Sequence, residues 1–230
     1  CIISDYGKTI SKIKSDTFSK IGKFMAMPKV HKKDKNGNFK KALRPIIDLK
    51  DTIITVACII MKEIARKINY GLVFYCGHSM EMDDIRDIVV SVDNYNEHEA
   101  ESFYIEDMIT SDINSLYDNI NKSHSNDAFE YAINNLLPIG YIEENMHDLW
   151  YKANDFMFEN AYFTFNDEIF RIENSQIQGT NSGGDCCSMV LKVLEIRNKP
   201  KFDELVQFAI RYKDDISMIL KIKIENEQEL

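Results

Sequence analysis

Arg211-Tyr212-Lys213-Asp214-Asp215-Ile216 places two adjacent carboxylates between two runs of strand formers, Val206–Tyr212 and Ile216–Ile222. The pattern predicts a β-hairpin joined at Lys213-Asp214-Asp215. Asp is a common turn residue, so one reading is a solvated polar turn. The other reading is chemical. Like charges repel and burial disfavours both ionised forms, so an acidic pair at the tip of an apolar hairpin is costly unless it holds a cation. Magnesium chemistry needs further hard oxygens converging on the same strand end.

Asp112 is the candidate for that third carboxylate. It closes the strand-forming stretch Ser102–Thr110 and leads into Ile113-Asn114-Ser115-Leu116-Tyr117-Asp118-Asn119-Ile120. Alone it reads as a helix cap or turn residue. A third piece, Gln176-Ile177-Gln178-Gly179-Thr180-Asn181-Ser182-Gly183-Gly184, falls between a predicted hairpin and a predicted helix. Its glycines allow close backbone approach to a ligand, although an ordinary helix start has the same look. The fourth piece is Pro28-Lys29-Val30-His31-Lys32, followed after a turn-like Asn36-Gly37 by Arg44-Pro45-Ile46-Ile47. An Arg among several Lys can hold a triphosphate, the guanidinium forking onto phosphate oxygens.

The remaining chain alternates hairpins and helices. Phe24–Met27 and Leu43–Ile47 are short candidate strands. Residues 54–70 follow helical spacing, with Gly71 as the expected cap. Further helices are expected over 80–92, from Ser125 or Asn126 to Leu137, over 141–158 and over Gly184–Asn198. Tyr162–Phe165 and Glu168–Ile172 pair across Asn166-Asp167. Hairpins interleaved with helices predict an α+β fold rather than a doubly wound sheet.

The 230 residues carry a net charge of −9, which speaks against a nucleic-acid partner only as an average. Residues 1–67 carry +10 and residues 68–230 carry −19, and Lys20–Arg44 holds nine basic residues against the single acid Asp34. Such a block is either a solvated face or a phosphate-binding segment. No apolar run reaches the length of a membrane span, so no membrane partner is expected. Five cysteines without CxxC spacing read as reduced thiols of a cytoplasmic or nuclear protein.

In order and spacing, the four pieces resemble a reverse transcriptase, most closely the Penelope-like and telomerase-related branch. Its blocks run PKxHK…RPI, D[VI]xxLYxNI, QxxGTxxG and RYxDD. The resemblance covers about residues 24–220 and implies RNA-templated DNA synthesis on a right-hand α+β fold, with an antiparallel palm sheet packed on helices. Residues 1–70 would be a basic fingers-like segment and 71–230 the palm with inserted fingers helices. Asp112, Asp214 and Asp215 would be catalytic and hold two Mg²⁺ ions, with Mn²⁺ as an alternative and the Ile113 carbonyl as an added ligand. Arg44, aided by Lys29, Lys32 or a neighbouring Lys, would contact the incoming dNTP. Tyr117 would exclude the 2′-hydroxyl. Gln178 and Gly179 would line the nucleotide, and Gln176, Gly183 and Tyr212 the template and primer.

The sequence also departs from the family pattern. Ser182 stands where a Met is usual, Ser188 where a Pro is usual, and Lys213 where a small or apolar residue is usual. The chain ends about 15 residues beyond the Asp pair, so the thumb is expected to be absent here and to belong to further domains of the same polyprotein. Two alternatives stand beside the leading one: an RNA-directed RNA polymerase, against which Tyr117 argues, and a non-catalytic remnant that binds nucleic acid. His78, His124 and His147 read as surface or locally bonded, Asp83-Asp84 as a helix first turn, and Cys186-Cys187 as small packing groups. Trp150, Phe156, Phe158 and Tyr162 read as core.

Overall fold

The computed structural model describes residues 20–28, 35, 37, 43–76 and 104–223. The expected helix at 80–92, the turn around Asn36, Lys29 and Lys32, His78 and Asp83-Asp84 all lie outside these, as does the side chain of Arg44.

Two sheets carry the described strands. In the first, β1 (Gly22–Pro28) pairs antiparallel with β2 (Leu43–Asp48), from Lys23 opposite Asp48 to Pro28 opposite Leu43. β1 also runs parallel to β4 (Tyr162–Phe165) over Gly22–Phe163 and Lys23–Thr164. Gly22 makes that approach feasible, since a Cβ there would strike the Leu49 side chain and come within 3.0 Å of the Tyr162 carbonyl. β4 turns back into β5 (Glu168–Arg171) through Asn166 and Asp167, both left-handed at φ 51° and 64°, as a two-residue hairpin requires. Phe24, Phe163 and Phe165 pack across the join, with the Phe24 and Phe165 rings edge-on at 5.0 Å. This sheet therefore takes strands from both sides of residue 70, and helix α1 (Thr55–Cys76) runs through that residue.

The second sheet has the order β3 (Tyr104–Asp112), β7 (Asp215–Lys223), β6 (Val206–Tyr212), antiparallel throughout. Its helical companions are the short α2 (Leu116–Asn119), α3 (Lys122–Tyr131) ending in a π-helical turn (Ala132–Leu136), α4 (Glu144–Glu159) and α5 (Gly183–Leu205). The architecture is α+β, as the alternation of hairpins and helices implies.

α1 packs on α4 and α5, and α3 packs on α5. Ile54, Met61, Ala65, Ile68 and Leu72 enter the core from α1 or its start, meeting Phe129, Trp150, Met157, Met189 and Val193. Each large side chain buried this way contributes roughly 1.5–3 kcal/mol. The Trp150 ring stacks on Phe129 at 4.9 Å, and its indole N–H donates to Asn126 at 3.1 Å, so its polar edge is satisfied inside the core.

Three local expectations are corrected. Gly71 does not end α1; it is buried inside the helix, where a Cβ would fall 2.6 Å from the Tyr141 ring and 2.7 Å from Leu137. Close packing, not capping, explains the glycine. α3 starts earlier than expected, at an Asn121 cap whose side chain accepts the His124 N–H at 2.9 Å, while the His124 ring accepts the Asn121 N–H at 3.4 Å. Histidine here takes the part that Glu or Gln plays in a capping box. Of the aromatic group, Trp150 is core, but Phe156 and Tyr162 are exposed.

Candidate active site

The ends of β3 and of the β6–β7 hairpin meet at one edge of the second sheet. Lys213 and Asp214 form the turn, Lys213 in the left-handed region at φ 56°, and Tyr212 closes it opposite Asp215. Across β3, Asp112 lies opposite Asp215. The Ile113 N–H donates to the Asp214 carbonyl at 2.8 Å, which makes Ile113–Asp214 the hydrogen-bonded pair and Asp112–Asp215 the narrow one. Directly opposed residues share a face with Cβ atoms about 4.5–5.5 Å apart, and like charges placed so are unfavourable. Asp112, Asp214, Asp215 and Tyr212 are all exposed. The three carboxylates are thus brought to one sheet end, in a position that costs stability.

Next to them the chain turns through Ser115 at φ 50° into α2, which carries Tyr117. The Tyr117 ring lies against the start of α5. A Cβ on Gly183 would be 3.1 Å from the ring edge, and one on Gly184 would be 3.6 Å from the hydroxyl. The Tyr117 carbonyl accepts the Gln176 N–H at 3.0 Å, so the glycine block is stitched to α2. At its other end the block lies on β2: Gln178 accepts the Ile47 N–H at 3.4 Å, and Gly179, at φ 111°, leaves so little room that a Cβ would be 2.7 Å from the Ile47 carbonyl. Arg44 is three residues, about 10 Å, along that strand. The Thr180 hydroxyl bridges the loop, donating to Ile177 O at 3.0 Å and accepting the Gly183 N–H at 3.1 Å.

Two residues expected at the template lie inside the fold. Gln176 is 1% exposed, and its side-chain amide donates to the Ser125 hydroxyl at 3.4 Å, so it braces the fold. Gly183 is buried against Ile177 and Tyr117. Gln178 is half-buried and Gly179 exposed.

A cavity of about 610 Å³ opens beside the turn, lined by Asp214, Lys213 and Tyr117 together with Arg66, Tyr70 and Lys192. The last three carry no motif: Arg66 and Tyr70 come from α1 and Lys192 from the middle of α5, brought together only by helix packing. Asp185, in the first turn of α5, anchors α1 there, accepting from the Asn69 amide at its carbonyl (2.9 Å) with Arg66 at 3.9 Å from its carboxylate. Cys186 and Cys187 beside it, and Cys58 on α1, are buried thiols. Burial pushes Cys58 up to about 11, Cys187 up to about 12 and Cys186 well above the usual thiol range, which removes them as nucleophiles.

Among the described residues no group of three or more His, Cys, Asp or Glu side chains is placed to hold a metal ion. Magnesium is ordinarily held by one or two carboxylates together with substrate phosphates, and the facing Asp112 and Asp215, with Asp214 beside them, are hard oxygen donors of that kind. Carboxylate oxygens are the donor class that Mg²⁺ and Mn²⁺ prefer.

No protein-family profile and no curated protein sequence matches the chain. Solved structures do. Apo telomerase from Candida tropicalis lacking its C-terminal domain matches over 90% of this chain with a TM-score of 0.60 and 14% identity, this chain spanning 44% of it. Telomerase from Candida albicans, in complex with a TWJ fragment of telomeric RNA, matches over 95% with a TM-score of 0.61 and 10% identity, and 42% of that chain is covered. The corresponding Candida tropicalis complex matches over 96% with a TM-score of 0.61, 14% identity and 39% covered. The chain therefore shares a fold with these telomerase chains and spans about two-fifths of their length. Among the described residues no helix is long and apolar enough to cross a membrane.

Proposed function

We propose that this chain is the nucleotidyl-transferring part of an RNA-directed DNA polymerase of the retroelement type, nearest to the Penelope-like and telomerase-related branch. The observation that carries the reading is the register that sets Asp112 opposite Asp215 and bonds Ile113 to Asp214 at one sheet end. The shared telomerase fold supports it. The second sheet with α3–α5 would be the palm, and the first sheet with α1 the fingers.

In this reading Asp112, Asp214 and Asp215 hold two Mg²⁺ ions, which when bound acidify the primer 3′-hydroxyl and offset charge on the triphosphate. Arg44, with a neighbouring lysine such as Lys29 or Lys32, grips the triphosphate and fixes its angle to the primer end. Tyr117, backed by Gly183 and Gly184, presents a wall to the sugar that a 2′-hydroxyl would strike. Gln178 and Gly179 border the base, and the exposed Tyr212 faces the primer. The partners are an RNA template, a DNA primer and dNTPs, with further domains of the same polyprotein completing the grip. The compartment is one that keeps thiols reduced, cytoplasm or nucleus.

Single-turnover addition of one nucleotide to a DNA primer on an RNA template, with Mg²⁺ or Mn²⁺, tests this. Addition of dNTP, lost on the order of 10³-fold in Asp214→Asn, is the expected result. The 230 residues alone are expected to add nucleotides poorly, so template binding without addition by the chain extended through its natural downstream sequence would overturn the enzyme reading in favour of a nucleic-acid-binding module. Faster addition of NTP than dNTP would assign RNA synthesis instead.

A further inference from the structure

Asp214 is exposed, yet the peptide units on both sides of it are held from within. The unit that follows it gives its carbonyl to the Ile113 N–H at 2.8 Å. The unit that precedes it gives the Lys213 carbonyl to Arg211 Nη1 at 2.7 Å. Arg211 is one of the largest fully buried side chains, 1% exposed, and its Nε donates to Glu195 Oε1 from α5, itself 11% exposed.

A buried ion pair is a poor way to gain stability, because desolvating two charges offsets most of their attraction. This one does something an apolar pair could not. Lys213 lies in the left-handed region, where a residue with a Cβ needs its surroundings to hold it. The guanidinium is a planar fork, so a single side chain fixes the turn carbonyl on one nitrogen and an α5 carboxylate on another. The turn is thereby tied to the helix whose first residues back Tyr117.

We propose that Arg211 and Glu195 are positioning residues for the candidate active site: the pair locks the Lys213–Asp214 peptide so that Asp214 is presented beside Asp112 and Asp215. The proposal rests on the reading of those three carboxylates as the metal-holding group. Neither residue touches substrate; both act through the turn.

The test uses the whole 230-residue chain, with Glu195→Gln and Arg211→Lys beside Asp112→Asn. Mn²⁺ affinity is read by electron paramagnetic resonance with the metal alone, and single-turnover dNTP addition is read in the same preparations. In Arg211→Lys, Mn²⁺ affinity should fall about 10- to 100-fold and the rate on the order of 10²-fold, with the dNTP concentration for half-maximal rate changed less than about threefold. Glu195→Gln keeps an acceptor for Arg211 and should lose less of both. If Arg211→Lys gives no cooperative melt, Glu195→Gln decides alone. Variants that melt at lower temperature yet bind Mn²⁺ and add nucleotide like the parent would overturn the proposal. A parent that binds Mn²⁺ no better than Asp112→Asn would overturn the reading of the carboxylates and this proposal with it; a parent that does bind, matched by both variants, removes the positioning role only.

Discussion

Asp112 stands directly opposite Asp215 across the β3–β7 ladder, in a narrow pair whose next rung is the Ile113–Asp214 hydrogen bond of 2.8 Å. Two carboxylates in that relation repel through the roughly 0.2–1 kcal/mol that an unfavourable cross-strand pair costs. Asp112→Asn should therefore stabilise the fold slightly, raising Tm by up to about 2–4 °C at low ionic strength and less at high ionic strength, while abolishing nucleotide addition. Adding Mg²⁺ should raise the Tm of the parent and leave the variant nearly unmoved. Thermal melts across salt and Mg²⁺ concentration check both signs; an unstabilised variant would mean that the pair does not repel.

Gly179 sits at φ 111° with the Ile47 carbonyl 2.7 Å from where a Cβ would be. Gly179→Ala should cost at least about 1–2 kcal/mol in urea unfolding, from the left-handed backbone alone. It should also push the loop off β2, the strand that carries Arg44, and raise the dNTP concentration needed for half-maximal addition.

Tyr117 rests its ring on Gly183 and its hydroxyl by Gly184. If Tyr117 is the wall to the sugar that we propose, Tyr117→Ala should drop discrimination of dNTP against NTP about 10- to 100-fold with dNTP addition retained. Paired single-turnover assays measure the ratio.

The Cys58, Cys186 and Cys187 thiols are buried, and desolvation holds their pKa values up, at about 11 for Cys58 and about 12 for Cys187. Near pH 8 an alkylating reagent should leave all three unmodified in the folded chain and modify them once denaturant is added. Mass spectrometry of the labelled peptides reads this directly.

Arg197 forks onto Asp127 at 2.6 and 3.2 Å and lies over the Tyr131 ring at 3.9 Å, tying α5 to α3. The hydrogen bond from Arg197 holds the Asp127 carboxyl below its usual range. A lowered carboxylate pKa contributes stability above the ordinary value, and the contribution is lost as pH falls through the lowered one. Because Asp127 is 63% exposed, Asp127→Asn should cost less than about 1 kcal/mol near neutral pH and nothing in strong acid, by denaturant titration at both.

Short-range chemistry was legible in the chain. Asn166-Asp167 between two short runs of strand formers specifies a tight hairpin, Asp214-Asp215 between two longer runs of strand formers specifies another, and the apolar spacing after Ile54 specifies α1. Each depends on backbone preferences of a few adjacent residues, which act before any distant contact forms. Even so, the same letters misled where a distant neighbour decided. Gly71 looks like a cap until Tyr141 is seen pressed against it, and Gln176 looks like a ligand contact until Ser125 claims its amide inside the core.

The order of Asp112, Tyr117, the glycine block and the Asp pair was sufficient to expect an α+β polymerase-like chain. Their meeting was not. Side chains in a strand alternate faces, so a slip of one residue in β3 against β7 would put Asp112 and Asp215 on opposite sides of the sheet. That register is selected by the whole length of the ladder, from Tyr104 opposite Lys223 onward, and by α5, which packs on β6 and β7. The Arg66, Tyr70 and Lys192 walls of the cavity and the Arg211–Glu195 pair under the turn follow from how α1 and α5 pack. The sequence alone determined which groups could do chemistry; burial and register, set by contacts across the whole chain, decided which of them face each other and which became part of the frame.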